Sequence, residues 1–205
     1  MACKKIMKQT QRSVVVYCAS SSLIDACYFD AAERLGELLA ANGILCINGA
    51  GKEGLMGALN DSVLRHGGAV KGIIPQFMVD AGWCHDQLNE TIITQTIHER
   101  KESMAESADA VIALPGGVGT LEELAEIITW KQLGLYDNPV IILNTNDYYQ
   151  PLLSFFDKMM EAKFLNRANG DMWQVASTPE EAVGLLLGFP HWKASGGLEC
   201  TEKEL

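Results

Sequence analysis

The run Pro115-Gly116-Gly117-Val118-Gly119-Thr120-Leu121-Glu122-Glu123 carries the strongest chemical signal in this chain. Its three glycines leave backbone N–H groups uncovered just ahead of a helical pattern, whose positive end favours an anion such as phosphate. Thr120 adds a hydroxyl to those donors. Glu123 has two readings. Thr120-Leu121-Glu122-Glu123 fits a capping box, in which Thr120 caps the helix and Glu123 reaches back to the cap N–H. Alternatively, its carboxylate faces a bound ligand.

Other segments could contribute to the same anion site. Ala19-Ser20-Ser21-Ser22 offers small side chains and hydroxyls, which also serve as ordinary loop and cap material. Asn48 to Gly57 holds glycines at 49, 51, 54 and 57. Such a loop either brings backbone close to a ligand or packs a helix tightly on a sheet at Gly54 and Gly57. It is not a P-loop, because no Gly-Lys-Ser/Thr closes it, and it lacks the G-x-G-x-x-G spacing of a dinucleotide fingerprint. His98-Glu99-Arg100-Lys101 places two cations at the start of a helical pattern, against the helix dipole. An anionic partner or plain solvation would each relieve that conflict. His98 alone reads as a loop or cap residue.

These segments need elements to hold them. Apolar runs predict strands over Val14–Cys18, Ile44–Ile47, Val70–Ile74, Ala110–Leu114 and Val140–Leu143, with weaker ones over Thr91–Thr94 and Trp173–Ala176. Several are continuous rather than alternating, as in strands buried on both faces of a parallel sheet. Helical patterns lie between them, over Asp25–Ala41, Leu55–His66, Glu99–Ser107, Leu121–Leu135, Tyr149–Ala162 and Pro179–Leu187. The alternation predicts an α/β fold: a Rossmann-like, doubly wound parallel sheet with helices on both faces. Such sheets bind ligands beyond the carboxyl ends of their strands, which is where the glycine and serine loops fall. The expected organisation is a tail over 1–12, one nucleotide-binding domain over 13–194 and a second tail over 195–205.

Composition narrows the partners. The 205 residues carry 16 basic and 26 acidic side chains, a formal charge of −10. Duplex binding calls for clustered Lys and Arg, so nucleic acid is not an expected partner. The six cysteines include no C-x-x-C pair, which argues against structural zinc and for reduced thiols. No apolar run approaches the roughly 20 residues of a membrane helix. Neither that nor the basic stretch before Arg12 suggests a leader or membrane anchor, so the expected location is the cytoplasm.

Taken together, the segments resemble the LOG family, the cytokinin riboside 5′-monophosphate phosphoribohydrolases once labelled lysine decarboxylase-like. The resemblance runs from about Val14 to Ala176 and rests on several motifs. They are P-G-G-x-G-T-x-x-E at Pro115 to Glu123, the pair Arg100-Lys101, Gly54-Leu55-Met56-Gly57, and Thr129-Trp130 with Gln132-Leu133-Gly134. It implies Arg100 and Glu123 as the catalytic pair. It implies nucleotide contacts at Lys101, Gly117, Val118, Gly119, Thr120, Leu121, Glu122 and Thr129. It further implies a homodimer and no metal or organic cofactor. From the loops themselves, Ser20, Ser21, Gly49, Gly51 and Gly116 join the substrate-binding set.

There are departures from the family pattern. C-G-S-S reads Cys18-Ala19-Ser20-Ser21, Y-G-G-G reads Asn48-Gly49-Ala50-Gly51, and Ile97 replaces a methionine. Gly82 stands where plant-like members carry a substrate-binding Glu, 18 residues before the arginine, so the loop from Asp80 through Trp83 to His85 is expected to differ from the family near the base or ribose.

The resulting expectation is a hydrolase that cleaves the N-glycosidic bond of AMP or an N6-modified adenine nucleotide, giving free base and ribose 5-phosphate. One rival is a nucleotide or molybdenum-cofactor carrier, which would use the glycine loops without requiring Arg100 and Glu123. The other is a pyridoxal-dependent decarboxylase, which needs a Schiff-base lysine; Lys71, Lys101 and Lys131 are available, and nothing marks one of them.

Overall fold

The computed structural model describes residues 12–166 and 171–189. The tail assigned to 195–205 and all but Arg12 of that assigned to 1–12 lie outside the described residues.

Seven strands form one sheet: β1 (Ser13–Tyr17), β2 (Leu45–Asn48), β3 (Val70–Pro75), β4 (Glu90–Thr94), β5 (Val111–Ala113), β6 (Val140–Leu143) and β7 (Gln174–Ala176). Their order is β4-β3-β2-β1-β5-β6-β7, and every pairing is parallel. The helices are α1 (Ala26–Ala41), α2 (Gly54–Arg65), α3 (Gln76–Asp80), α4 (Ile97–Glu106), α5 (Val118–Gln132), α6 (Gln150–Glu161) and α7 (Pro179–Gly188), with a 3₁₀ turn at Thr145–Asp147.

The continuous apolar strands are explained by what covers each face. Val14 and Val16 of β1 point to one side, where they meet Ala32, Leu35 and Leu39 of α1, Leu55, Leu59 and Val63 of α2 and Val183 and Leu186 of α7. Val15 and Tyr17 point to the other side, toward Met104 of α4 and Leu124, Ile127 and Ile128 of α5. Neither face is left to water, so period-two alternation has no reason to appear. The sheet is thus doubly wound, as the sequence predicts.

Helix starts differ most from expectation. α5 begins at Val118 rather than Leu121, with Gly117 as its N-cap. α4 begins at Ile97 rather than Glu99, capped by Thr96, whose side chain accepts from Glu99 N. The five-residue α3 has no counterpart among the predicted helices, being shorter than two turns of any periodic pattern.

From β1 the chain winds outward through β2, β3 and β4; it then returns to β5 and winds the opposite way. The strand order therefore reverses between β1 and β5. A crevice opens beyond the carboxyl ends of strands flanking such a reversal.

Candidate active site

The crevice is occupied by a cavity of about 610 Å³. Its lining includes Ser20 and Ser21 after β1, Gly49 and Gly51 after β2, and Gly117 to Thr120 after β5. Arg100 of α4 and Glu123 of α5 complete that side. Segments nearly a hundred residues apart are gathered by the strand order alone.

The α5 end supplies donors. Leu121 N makes the first intrahelical bond, to Gly117 O at 3.0 Å. The N–H groups of Val118, Gly119 and Thr120 precede it and so have no partner within the helix. Unbonded donors at the positive end of a helix dipole are the kind of group that holds anions. A Cβ at Gly117 or Gly119 would meet nothing within 4 Å, so that rim is open. At Gly116 a Cβ would lie 2.1 Å from Thr120 Oγ1; Thr120 is folded back over this glycine. Because Gly117 caps the helix without a side-chain bond, the Thr120–Glu123 capping box does not form. Thr120 already lies inside the first turn, which frees Glu123 for the cavity. Thr–Glu pairs do cap α4, at Thr96 and Glu99, and α7, at Thr178 and Glu181.

Arg100 and Glu123 face one another across the cavity floor. Arg100 Nη2 lies 3.4 Å from Glu123 Oε1, and each side chain is only 11% exposed. Arg100 Nε donates to Ile73 O at 3.2 Å, which fixes the guanidinium plane. Gly49 makes room for it: a Cβ there would sit 2.0 Å from Arg100 Nη2. Burial pushes the Glu123 carboxyl above its ordinary pKa; Arg100 opposes this and Glu122 adds to it. Cys18 also lines the cavity, but burial, with Cys46 and Glu123 adding, raises its thiol well above the usual value. That shift disfavours the thiolate, the form a cysteine nucleophile needs.

The glycine loop is held by buried amides. Asn48 Oδ1 accepts from Ala50 N at 2.9 Å, Asn48 Nδ2 donates to Asn60 Oδ1 at 2.6 Å, and Asn60 Nδ2 donates to Gly51 O at 3.1 Å. Ala50 has φ +60°, left-handed backbone that glycine adopts at less cost. Gly54 has φ +62°, and a Cβ would come within 2.5 Å of the Ser20 backbone; one at Gly57 would come within 2.3 Å of Lys52 O. The packing reading of this loop holds at Gly54 and Gly57, whereas Gly49 and Gly51 line the cavity.

A family model described as "Possible lysine decarboxylase" matches residues 56–186. A cytokinin riboside 5′-monophosphate phosphoribohydrolase of Arabidopsis thaliana is 41% identical over 185 residues, 90% of this chain and 81% of that protein. One of Rhodococcoides fascians is 37% identical over 180 residues, 87% of this chain and 91% of that protein. The chain belongs to the LOG family. Among solved structures, a molybdenum cofactor binding protein of Rippkaea orientalis superposes with a TM-score of 0.67 at 23% identity, covering 87% of this chain and 97% of that one. That likeness shows the fold alone.

The LOG-family motifs do not all meet in the cavity. Arg100, Glu123, Ser20, Ser21, Gly49, Gly51, Gly117, Val118, Gly119 and Thr120 line it. Lys101, Gly116, Leu121, Glu122 and Thr129 do not. Lys101 instead pairs with Glu122 and with Glu126, the latter at 3.1 Å, and Thr129 Oγ1 donates to Ala125 O one turn back. Lys52, Glu53, Met56, Ile74, Met78 and Trp83, which the sequence reading did not name as site residues, line the cavity as well. Of these, Lys52, Glu53 and Met56 sit inside the glycine segment already singled out. Met78 and Trp83 come from the unpredicted α3 and the turn after it, where Gly82 has φ +73°. That turn is tied to the glycine loop by Lys52 N to Trp83 O at 3.1 Å and His85 N to Ala50 O at 2.8 Å.

A pyridoxal site does not fit this family member. Lys71 pairs with Glu90 at 3.3 Å, and Lys101 is held by carboxylates. Lys131, lowered by burial to about 8, donates to the carbonyls of Asp137 and Asn138 at the amino end of β6. None of the three lines the cavity. Among the described residues no group of three or more His, Cys, Asp or Glu could hold a metal, and no helix is long and apolar enough to cross a membrane.

Proposed function

We propose that this chain hydrolyses the N-glycosidic bond of a purine nucleoside 5′-monophosphate, AMP or an N6-modified adenine nucleotide, yielding free base and ribose 5-phosphate. The observation that carries the reading is the Arg100–Glu123 pair, set on the floor of a cavity whose rim is the open N-terminus of α5. The phosphate sits on the N–H groups of Gly117 to Thr120, with Ser20 and Ser21 across from them, and the ribose lies over the pair. As the bond from C1′ to the base nitrogen breaks, positive charge develops on the sugar. The Glu123 carboxylate stabilises it and takes the proton of the attacking water, whose oxygen bonds to C1′; the base leaves with the bonding electrons and takes up a proton. Arg100 orients Glu123 and the ribose hydroxyls by charge-assisted bonds. The relatives of Arabidopsis thaliana and Rhodococcoides fascians, named as phosphoribohydrolases of cytokinin riboside 5′-monophosphates, support the reading.

The same reading takes the protein to be a cytoplasmic homodimer acting on a small nucleotide without cofactor. Free thiols at Cys18, Cys27, Cys46 and Cys84 suit a reducing compartment. Leu133, 45% exposed, and Leu135, 70% exposed, just beyond the end of α5, suit an apolar contact there. Incubation with AMP, N6-isopentenyl-AMP and the corresponding nucleosides tests the activity by base release. Release from the monophosphates only is expected. Retained nucleotide binding without release would make the chain a carrier.

A further inference from the structure

The start of the P-G-G motif is held by three donors from two loops. Leu114 O accepts from Tyr149 Oη at 2.7 Å, Pro115 O from Ala19 N at 3.2 Å, and Gly116 O from Tyr148 Oη at 2.6 Å. The two tyrosines belong to the turn after β6, and neither lines the cavity. Tyr149 is buried, so its bond is a matter of packing. Tyr148 is 42% exposed, yet its ring is fixed on both sides. It meets Tyr28 of α1 edge-on at 5.8 Å and Tyr149 at 5.1 Å.

The backbone before it is unusual. Asn146 and Asp147 have φ of +53° and +55°, two successive left-handed residues, a conformation non-glycine residues adopt only at a cost. Asn144 closes the turn, its Oδ1 accepting from Tyr149 N at 2.7 Å and its carbonyl from Asp147 N at 3.2 Å. This backbone delivers one hydroxyl to one carbonyl.

The consequence follows from peptide geometry. In a trans peptide the C=O and the next N–H point in opposite directions. Fixing Gly116 O toward Tyr148, outside the cavity, turns the Gly117 N–H the other way. Gly117 lines the cavity and has no Cβ to hold its orientation by packing. We infer that Tyr148 is a positioning residue for anion binding: its hydroxyl holds the Gly116–Gly117 peptide so that the Gly117 N–H points at the phosphate of the substrate. The inference rests on the phosphate lying at the α5 N-terminus, as in the proposed function.

The test is Tyr148→Phe, which keeps the ring contacts and removes only the hydroxyl. Binding of ribose 5-phosphate and of adenosine is measured by calorimetry, alongside the Gly117 amide resonance during titration with inorganic phosphate. Affinity for ribose 5-phosphate falls roughly three- to tenfold, the range for one net hydrogen bond, while that for adenosine is unchanged. In base release, KM rises with kcat held. The Gly117 amide moves with phosphate in the wild type and moves less in the variant. Equal losses for both ligands, or no loss for either, overturns the inference. So does a Gly117 amide that ignores phosphate in the wild type, a result available even if the variant fails to fold. If the wild type binds ribose 5-phosphate but releases no base, the hydrolase reading fails and the role of Tyr148 stands.

Discussion

Two neighbouring ion pairs join the same two helices and do different things. Arg100 and Lys101 are consecutive on α4, and Glu122 and Glu123 are consecutive on α5. Successive helical residues diverge by about 100°, so one member of each doublet turns into the cavity and the other turns away. The inner pair, Arg100–Glu123, is loose at 3.4 Å and equally buried at both ends. The outer one is asymmetric: the Lys101 side chain is 6% exposed, held by Glu122, which is 53% exposed, and by Glu126. Burial alone would lower the Lys101 pKa, but bonds to Glu122 and Glu126 outweigh it and leave the amine above its ordinary value. The outer pair is satisfied, and its charges are spent on each other. The inner carboxylate is not, since burial keeps its pKa raised despite Arg100. Incomplete pairing in a dry site is what a group needs if it is to respond to a substrate.

Glu123→Gln gives the largest contrast. It keeps the shape and removes the charge, and base release should fall roughly 10²-fold or more. In the wild type the rate should rise with pH through an apparent pKa above the usual carboxylate range, because the carboxylate is the active form. Stability should move the opposite way. A carboxyl whose pKa is higher folded than unfolded favours the native state when protonated; that contribution is complete below the unfolded pKa and lost as pH rises through the folded one. The glutamine variant resembles the protonated form, so at neutral pH it should melt no lower than wild type. A variant that stays active but melts lower would restore the capping role.

That outcome bears on how much of the site was legible. The strands could be read because burial on both faces writes continuous apolar runs, and the strand order then gathers the loops without further information. Which side of a helix a motif residue faces could not be read, because it depends on where the helix starts. Shifting the start of α5 from Leu121 to Val118 moves Thr120 from cap to first turn and releases Glu123. The same ambiguity hid the outer pair: Lys101 and Glu122 share motifs with Arg100 and Glu123, and sequence adjacency does not survive a 100° turn. Trp83 and Met78 went unnamed as site residues for another reason, although the family pattern marks the loop from Asp80 to His85 as a departure near the base or ribose. A five-residue helix and a turn through a left-handed glycine carry no periodicity, so nothing placed that segment against the glycine loop.

Arg100→Ala comes next. Loss of the guanidinium should lower base release by about 10²-fold, through misplacement of Glu123 and the ribose. It also leaves Glu123 buried without its principal cation, so its pKa should climb further and the rising limb of the pH profile should shift to higher pH. That shift separates an arginine that tunes Glu123 from one that only binds substrate, which would leave the limb in place.

The smallest effect is expected at the outer pair. Lys101→Met keeps most of the buried stem and removes the ammonium, leaving Glu122 and Glu126 free to hydrate. The cost should be about 1 kcal/mol of stability, the scale of a charge-assisted bond with one exposed partner. Thermal melts at low and high salt check this: the difference from wild type should shrink as salt screens the pair. Base release, measured well below the melting temperature, should fall less than about tenfold, as expected of a contact that aligns α4 with α5 rather than touching the substrate. A loss matching that of Arg100→Ala, with stability intact, would put the Lys101 ammonium in the cavity during turnover. The two pairs would then be parts of one binding surface, and the division between a spent pair and a working pair would fall.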